Sequence, residues 1–213
     1  MSSPALTTTS YAFLGLLAIR PWTTHELVKQ VDTSLRRIWP RARSKLYEEP
    51  KKLVAHGYAT AEAAPVGRRR RTRYSITPAG RRALAAWVQE PGAGPSLEFE
   101  QLVKIHFADS ADKSAVVANL EATREWVRRE NEQNLEVARA YLEGRGAFQE
   151  RAALNQLSGR FLTEYYACVA RWADWALEQV ADWPDDVREA PYDREVAEEA
   201  VRLIESIGVP QSS

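Results

Sequence analysis

The chain has 213 residues, 45% hydrophobic and 27% charged, an ordinary globular composition with room for one large domain or two small ones. No run approaches the roughly 18 apolar residues of a membrane span. Met1–Thr9 has no basic region ahead of an apolar stretch, so no secretory signal is expected and the expected address is cytoplasmic.

The net charge of +0 conceals a segregation. Residues 1–90 carry 16 Lys and Arg against 6 Asp and Glu, and the remainder carries 13 against 23. Such asymmetry points to a polyanionic partner for the basic part alone. The sign changes at Glu90-Pro91-Gly92-Ala93-Gly94-Pro95-Ser96, where two prolines and two glycines make a linker or sharp turn. The expected division is therefore 1–90 and 91–213.

In chain order, Thr8-Thr9-Ser10 offers N-caps for a helix carrying Tyr11, Phe13, Leu14, Leu17 and Ala18, which stops before Pro21. Thr23-Thr24-His25-Glu26 has the spacing of a capping box and opens a second helix that buries Leu27, Val28 and Val31. Pro40 suits the first turn of a third helix with Leu46, Leu53 and Val54 inward, ended by Gly57. Tyr58–Ala64 and Thr72–Thr77 read as a hairpin around the tip Pro65–Arg71. Thr77-Pro78 then starts a helix with Leu84, Trp87 and Val88 on its apolar side. Three helices, a basic-tipped hairpin and a closing helix make a winged helix-turn-helix.

The second part is nearly all helix. One amphipathic segment runs from about Asp112 to Leu142, a second from about Gln149 to Val180 and a third from about Tyr192 to Ile207. In the second, Leu154, Leu157, Phe161, Tyr165, Cys168 and Trp172 recur every three or four residues. This stripe is too long for a domain of this size to cover, so pairing with a second copy is expected. The expected fold class is mainly α, a winged helix-turn-helix with a small β-hairpin followed by an α-helical dimerisation domain.

Three stretches carry a resemblance to the PadR family of transcriptional regulators. Tyr11-Ala12-Phe13-Leu14-Gly15-Leu16-Leu17 resembles that family's first helix. The run Lys45-Leu46-Tyr47-Glu48-Glu49-Pro50-Lys51-Lys52-Leu53-Val54-Ala55-His56-Gly57-Tyr58 resembles its recognition helix and the turn into the wing. Arg73-Tyr74-Ser75-Ile76-Thr77-Pro78-Ala79-Gly80-Arg81 resembles the return strand and the next helix. The likeness spans residues 10–90, with a weaker likeness of layout beyond. Two departures stand out: Thr24-His25-Glu26 replaces the family's usual His-Gly-Tyr, and Pro50 falls later after Tyr47 than the family's proline, where a helix interior would be kinked.

The resemblance implies a homodimeric regulator, a repressor, that binds an inverted-repeat operator in double-stranded DNA and is released by a small aromatic effector. Arg41, Arg43, Ser44, Lys45 and Tyr47 fall early in the third helix, where side chains reach base edges or phosphates. Lys51 and Lys52 lie further along it, and Arg36 and Arg37 precede it near the backbone. Arg68, Arg69, Arg70, Arg71 and Arg73 crowd the wing, where mutual repulsion favours an anionic partner. Among the tryptophans of the second part, Trp126 and Trp175 are the effector candidates, although core and dimer packing is the simpler reading of these rings. His25, His56, His106 and Cys168 show no ligand spacing, so no metal is expected. No catalytic or phosphate-loop motif appears, so neither an enzyme nor a cofactor is expected. Two other readings stay open: a nucleic-acid-binding protein without sequence preference, and a helical module that docks to a protein.

Overall fold

A computed structural model describes residues 5–66 and 69–208, with side chains outside 64–70. The described residues divide after Pro95 into two compact units.

In the first unit, helix α1 spans Thr8–Ile19 and is capped one residue before the expected cluster. The Thr7 side chain accepts from the Ser10 amide, and the Ser10 hydroxyl oxygen accepts from the Thr7 amide. Arg20 ends the helix in an extended conformation, as the residue before a proline must. Strand β1, Trp22–Thr23, leads straight into α2, Thr24–Ser34, through the Thr23–Glu26 capping box.

The expected single third helix is two short ones, α3 at Arg43–Leu46 and α4 at Glu49–Ala55. Tyr47 and Glu48 keep right-handed helical dihedrals, so the chain direction continues. Pro50, however, has no N–H to return to the Leu46 carbonyl, and the hydrogen-bond ladder breaks there. Pro50 thus sits in the first turn of α4 rather than in a helix interior. Pro40 precedes α3 instead of opening it.

The wing is longer than expected. Strands β2, Ala59–Val66, and β3, Arg69–Ile76, pair antiparallel from Ala59–Ile76 out to Val66–Arg69. Arg69, Arg70 and Arg71 therefore belong to a strand, because the ladder keeps its register beyond Ala64. Strand β1 pairs with β3 through Trp22–Tyr74 and Thr23–Arg73, giving the order β1-β3-β2. Helix α5, Pro78–Gln89, closes the unit with Thr77 as its cap. Phe13, Leu14, Leu17, Leu27, Val28, Leu46 and Leu53 form a sealed core.

In the second unit, α6 (Glu100–His106) precedes two 30-residue helices, α7 at Lys113–Leu142 and α8 at Ala152–Ala181. They run antiparallel. The Lys113 ammonium at the start of α7 donates to the carbonyls of Ala181 and Trp183 at the end of α8, 2.6 and 2.9 Å away. Val116 and Leu120 pack on Ala176 and Val180, and farther along Val127 packs on Tyr166 and Val169. A last helix, α9, spans Arg194–Ser206 and keeps Leu203 and Ile204 exposed.

Candidate nucleic-acid interface

Helices α2 and α3 with the connecting turn form the helix-turn-helix, and they carry five of the twelve expected basic residues, Arg36, Arg37, Arg41, Arg43 and Lys45. Arg36 and Arg37 occupy the turn at Leu35–Ile38, the first exposed and the second half-buried. Arg41, Arg43, Ser44 and Lys45 are exposed where α3 begins, and Tyr47 is exposed just after it. Only Leu46 of α3 is buried, so the helix is pinned by one apolar anchor and presents its other side chains outward.

The cations differ in their engagements. Arg43 lies 3.9 Å from Asp32 of α2 in an exposed pair. Arg41 stacks over the Trp39 ring, its guanidinium carbon 4.0 Å from the ring centroid. Lys51 pairs with Glu48 at 3.1 Å and stays 68% exposed, whereas Lys52 turns inward to Glu49 at 3.8 Å and is only 17% exposed. Lys52 is thus held within α4 rather than presented to solvent. With Leu53 buried next to it, its position on α4 faces the unit rather than the solvent. Lys45 and Arg43 have no comparable burial.

In the wing, Arg71 and Arg73 are exposed on the face of β3 opposite the buried Tyr74, as the two-residue period of a strand requires. Arg73 also lies close enough to Glu26 to help hold that carboxyl below the ordinary carboxylate range. Arg69 and Arg70 are placed by their backbone alone, and Arg68 lies outside the described residues.

The candidate pairing residues fall on α8. Leu154, Leu157 and Phe161 are 58, 71 and 58% exposed on the single chain, and Cys168 is exposed as well. Tyr165 and Trp172 are half-buried: Trp172 packs against the Val116–Leu120 cluster and edge-on to Phe99. The face that α8 turns to α7 is a different one, formed by Tyr166, Val169, Ala173, Ala176 and Val180. At roughly 100° per residue, the two faces lie about a quarter-turn apart.

The two effector candidates are not brought together. Trp126 of α7 meets Tyr165 and Tyr166 edge-on at centroid distances of 6.4 and 5.9 Å. Burial pushes the Tyr165 hydroxyl pKa up in this cluster, with the neighbouring Cys168 adding to it. Trp175 is instead exposed on α8. Among the described residues, no three His, Cys, Asp or Glu side chains gather as a metal site, and no helix is long and apolar enough to cross a membrane.

Sequence reasoning missed the side chains that hold this surface in place. Trp39 donates its indole N–H to Thr9 Oγ1 at 3.0 Å, and Ser10 donates to Glu49 Oε2 at 2.6 Å. Both bonds join α1 to segments about 30 to 40 residues away, so no local pattern announces them.

A helix-turn-helix with a two-stranded wing and a basic outer surface defines a winged-helix DNA-binding protein, here followed by a separate helical unit. Residues 13–86 match the profile of the transcriptional regulator PadR-like family, and residues 100–181 match that of the virulence activator alpha C-term. Over residues 13–86, the chain therefore carries a domain similar to that of the PadR-like transcriptional regulators.

Its fold is shared with Bacillus subtilis PadR solved in complex with operator DNA: TM-score 0.72, 18% identity, covering 82% of this chain and 99% of that one. The same Bacillus subtilis protein in complex with p-coumaric acid gives a TM-score of 0.67 at 18% identity, covering 83% and 100%. The Vibrio cholerae virulence activator AphA is 25% identical, with a TM-score of 0.60 over 81% of this chain and 98% of that one. No curated protein sequence matches this chain.

Proposed function

We propose that this regulator works as a homodimer on an inverted-repeat operator, as a repressor released by a small planar aromatic compound. The observation that carries the DNA reading is the exposed basic start of α3 beside a wing whose Arg71 and Arg73 point to solvent. Arg43, Ser44, Lys45 and Tyr47 would approach base edges and flanking phosphates in the major groove, with Arg36, Arg37, Arg41 and Lys51 on the backbone. The wing arginines, Arg68–Arg71 and Arg73, would track the adjacent phosphates or minor groove. Lys52 is left out because its side chain is largely buried against Glu49, whereas Lys51, although paired with Glu48, stays exposed. Two such heads related by a two-fold axis would enter successive major grooves roughly 34 Å apart.

Repression and release by an aromatic acid are supported by the solved complexes of Bacillus subtilis PadR with operator DNA and with p-coumaric acid. The Trp126–Tyr165–Tyr166 cluster is the aromatic surface that such a ligand would meet, and binding there would act by favouring one dimer geometry.

The test is selection of bound genomic fragments, followed by titration of a selected fragment and a random duplex at one salt concentration. A preference of roughly 10³-fold or more for the selected fragment supports the operator reading. Equal affinity would mark a binder without sequence preference, and no binding to either would leave only a protein-docking role. Addition of p-coumarate to the bound complex, followed by tryptophan fluorescence, tests release.

A further inference from the structure

We infer that the cleft between the start of α1 and α3 seats one DNA phosphodiester, and that Trp39 is the positioning residue that holds Arg41 in it. The inference rests on the DNA reading above and adds a contact to it. The cleft has a volume of about 300 Å³, with Thr7, Thr8 and Thr9 on one side and Trp39, Arg41 and Lys45 on the other. Two cations in one small concavity suit an anion.

Arg41 is exposed, and an exposed arginine ordinarily samples many rotamers, which a ligand must freeze out. Here the guanidinium lies flat on the Trp39 ring, 4.0 Å from its centroid, where the ring's negative face attracts it. One of its donors is also tied to the Pro40 carbonyl at 2.6 Å. The platform itself is fixed: Trp39 is half-buried and its N–H is bound to the buried Thr9 hydroxyl oxygen at 3.0 Å. Stacking occupies the face of the guanidinium and keeps its edge donors available for phosphate oxygens.

One carboxylate, Glu49, lines the cleft and would repel an anion. Its charge is already engaged, since Oε2 accepts the Ser10 hydroxyl at 2.6 Å and Oε1 faces the Lys52 ammonium at 3.8 Å. That leaves Arg41 and Lys45 as the cations that face the cleft. The phosphodiester is preferred to a free anion because Lys45 belongs to α3, so an anion in the cleft lies on the flank of the helix proposed to enter the groove. Phosphate contacts at such a flank set the register of a head on the duplex.

The experiment measures binding of the full-length protein to a short labelled duplex between about 50 and 200 mM salt, with thermal unfolding of each variant alongside. Arg41→Ala is expected to weaken binding roughly tenfold per head and to reduce the salt slope by about 0.9 per head. Trp39→Ala is expected to give the same loss of slope at an unchanged unfolding midpoint, and the double variant no further loss. Trp39→Phe keeps a ring under Arg41 and should recover most of the slope. Thr9→Val removes the anchor of the indole and should reproduce part of the loss even where Trp39→Ala does not fold. Additive losses from the two alanine variants, or a wild-type slope in both Trp39→Ala and Thr9→Val, would overturn the inference while leaving DNA binding intact. A wild-type protein that binds no duplex would instead overturn the DNA reading, and this inference with it.

Discussion

The Ser10 hydroxyl donates to Oε2 of Glu49 at 2.6 Å and so ties the first helix to α4, at the cleft that Arg41 and Lys45 also line. Ser10 is fully buried, and Glu49 also pairs with Lys52 in little-exposed surroundings. Removing the donor leaves a carboxylate oxygen without its partner. Ser10→Ala is therefore expected to cost about 1–3 kcal/mol, read as a lower denaturant midpoint with an unchanged m-value. Glu49→Gln keeps an acceptor oxygen and should cost less than Glu49→Ala. Equal losses from the two Glu49 variants would show that charge pairing with Lys52, not the Ser10 bond, is what matters.

Gly80 marks where α5 rests on the base of the wing. Its amide donates to the Thr77 hydroxyl at 3.0 Å, while the same hydroxyl donates to the Gly57 carbonyl at 2.8 Å. A Cβ on residue 80 would stand 2.2 Å from the Tyr58 carbonyl oxygen, which is backbone and cannot swing aside. Gly80→Ala should destabilise the first unit by about 2 kcal/mol or more through forced displacement of this turn. A calorimetric scan in which every transition keeps its wild-type midpoint would refute the clash.

Glu26 gives the first unit a pH-dependent element. The Thr23 amide, donating to Oε2 at 2.7 Å, holds the carboxyl below the ordinary carboxylate range. Burial opposes this, and the Thr23 hydroxyl, Arg20 and Arg73 reinforce it. Because the folded-state value is the lower one, the stabilisation is fully present above the unfolded-state pKa and is lost as pH falls through the folded-state value. The side chain is 40% exposed, so screening limits the contribution to about 0.5 kcal/mol. Glu26→Gln should lose stability near neutral pH and converge with wild type in acid. Parallel stability profiles of the two proteins from about pH 6 to about 3 would exclude this carboxylate as a source.

How far these features could be read in advance follows from how local they are. Thr23 and Glu26 bond each other three residues apart, and Pro78 follows its cap Thr77 directly, so both helix starts are visible in the sequence. Gly57, with a φ of +72°, ends α4 where a residue without Cβ is needed. Strand β1 carries no such signal. Two residues become a strand only because Tyr74 and Arg73, some fifty positions later, lie beside them. The break between α3 and α4 is signalled by Pro50, which lacks an N–H, but the apolar pattern running on to Leu53 favours one kinked helix over two short ones. On the surface, the identity of the basic residues is plain, but not all of their partners are. Asp32 for Arg43 emerges only when α2 and α3 are packed, whereas Glu49 for Lys52 is an i,i+3 pair within α4 and Trp39 for Arg41 lies two residues away. On α8 the regular stripe through Leu154 and Phe161 is easily seen, and it masks the second face through Tyr166 and Val169 that α7 actually covers.

That second face makes a sharp test of pairing between chains possible. Because α7 and α8 hold together through Tyr166, Val169, Ala173, Ala176 and Val180, the exposed Phe161 can be changed without emptying the core of its own unit. Leu154, Leu157 and Phe161 together would leave an apolar surface that a soluble monomer rarely carries. If two copies meet there about a two-fold axis, Phe161→Glu places a carboxylate in the buried interface without a partner, at a cost of several kcal/mol. The variant should then sediment as a folded monomer at a micromolar concentration where the wild type is a dimer, with its helical circular dichroism retained. Specific DNA affinity should fall with it, because a monomer offers one head to a two-headed site. Phe161→Leu, which keeps the apolar surface, should remain dimeric. A monomeric wild type, or a Phe161→Glu variant that stays dimeric, would place the contact between copies on some other surface, and the exposed α9 side chains Leu203 and Ile204 would be the next to change.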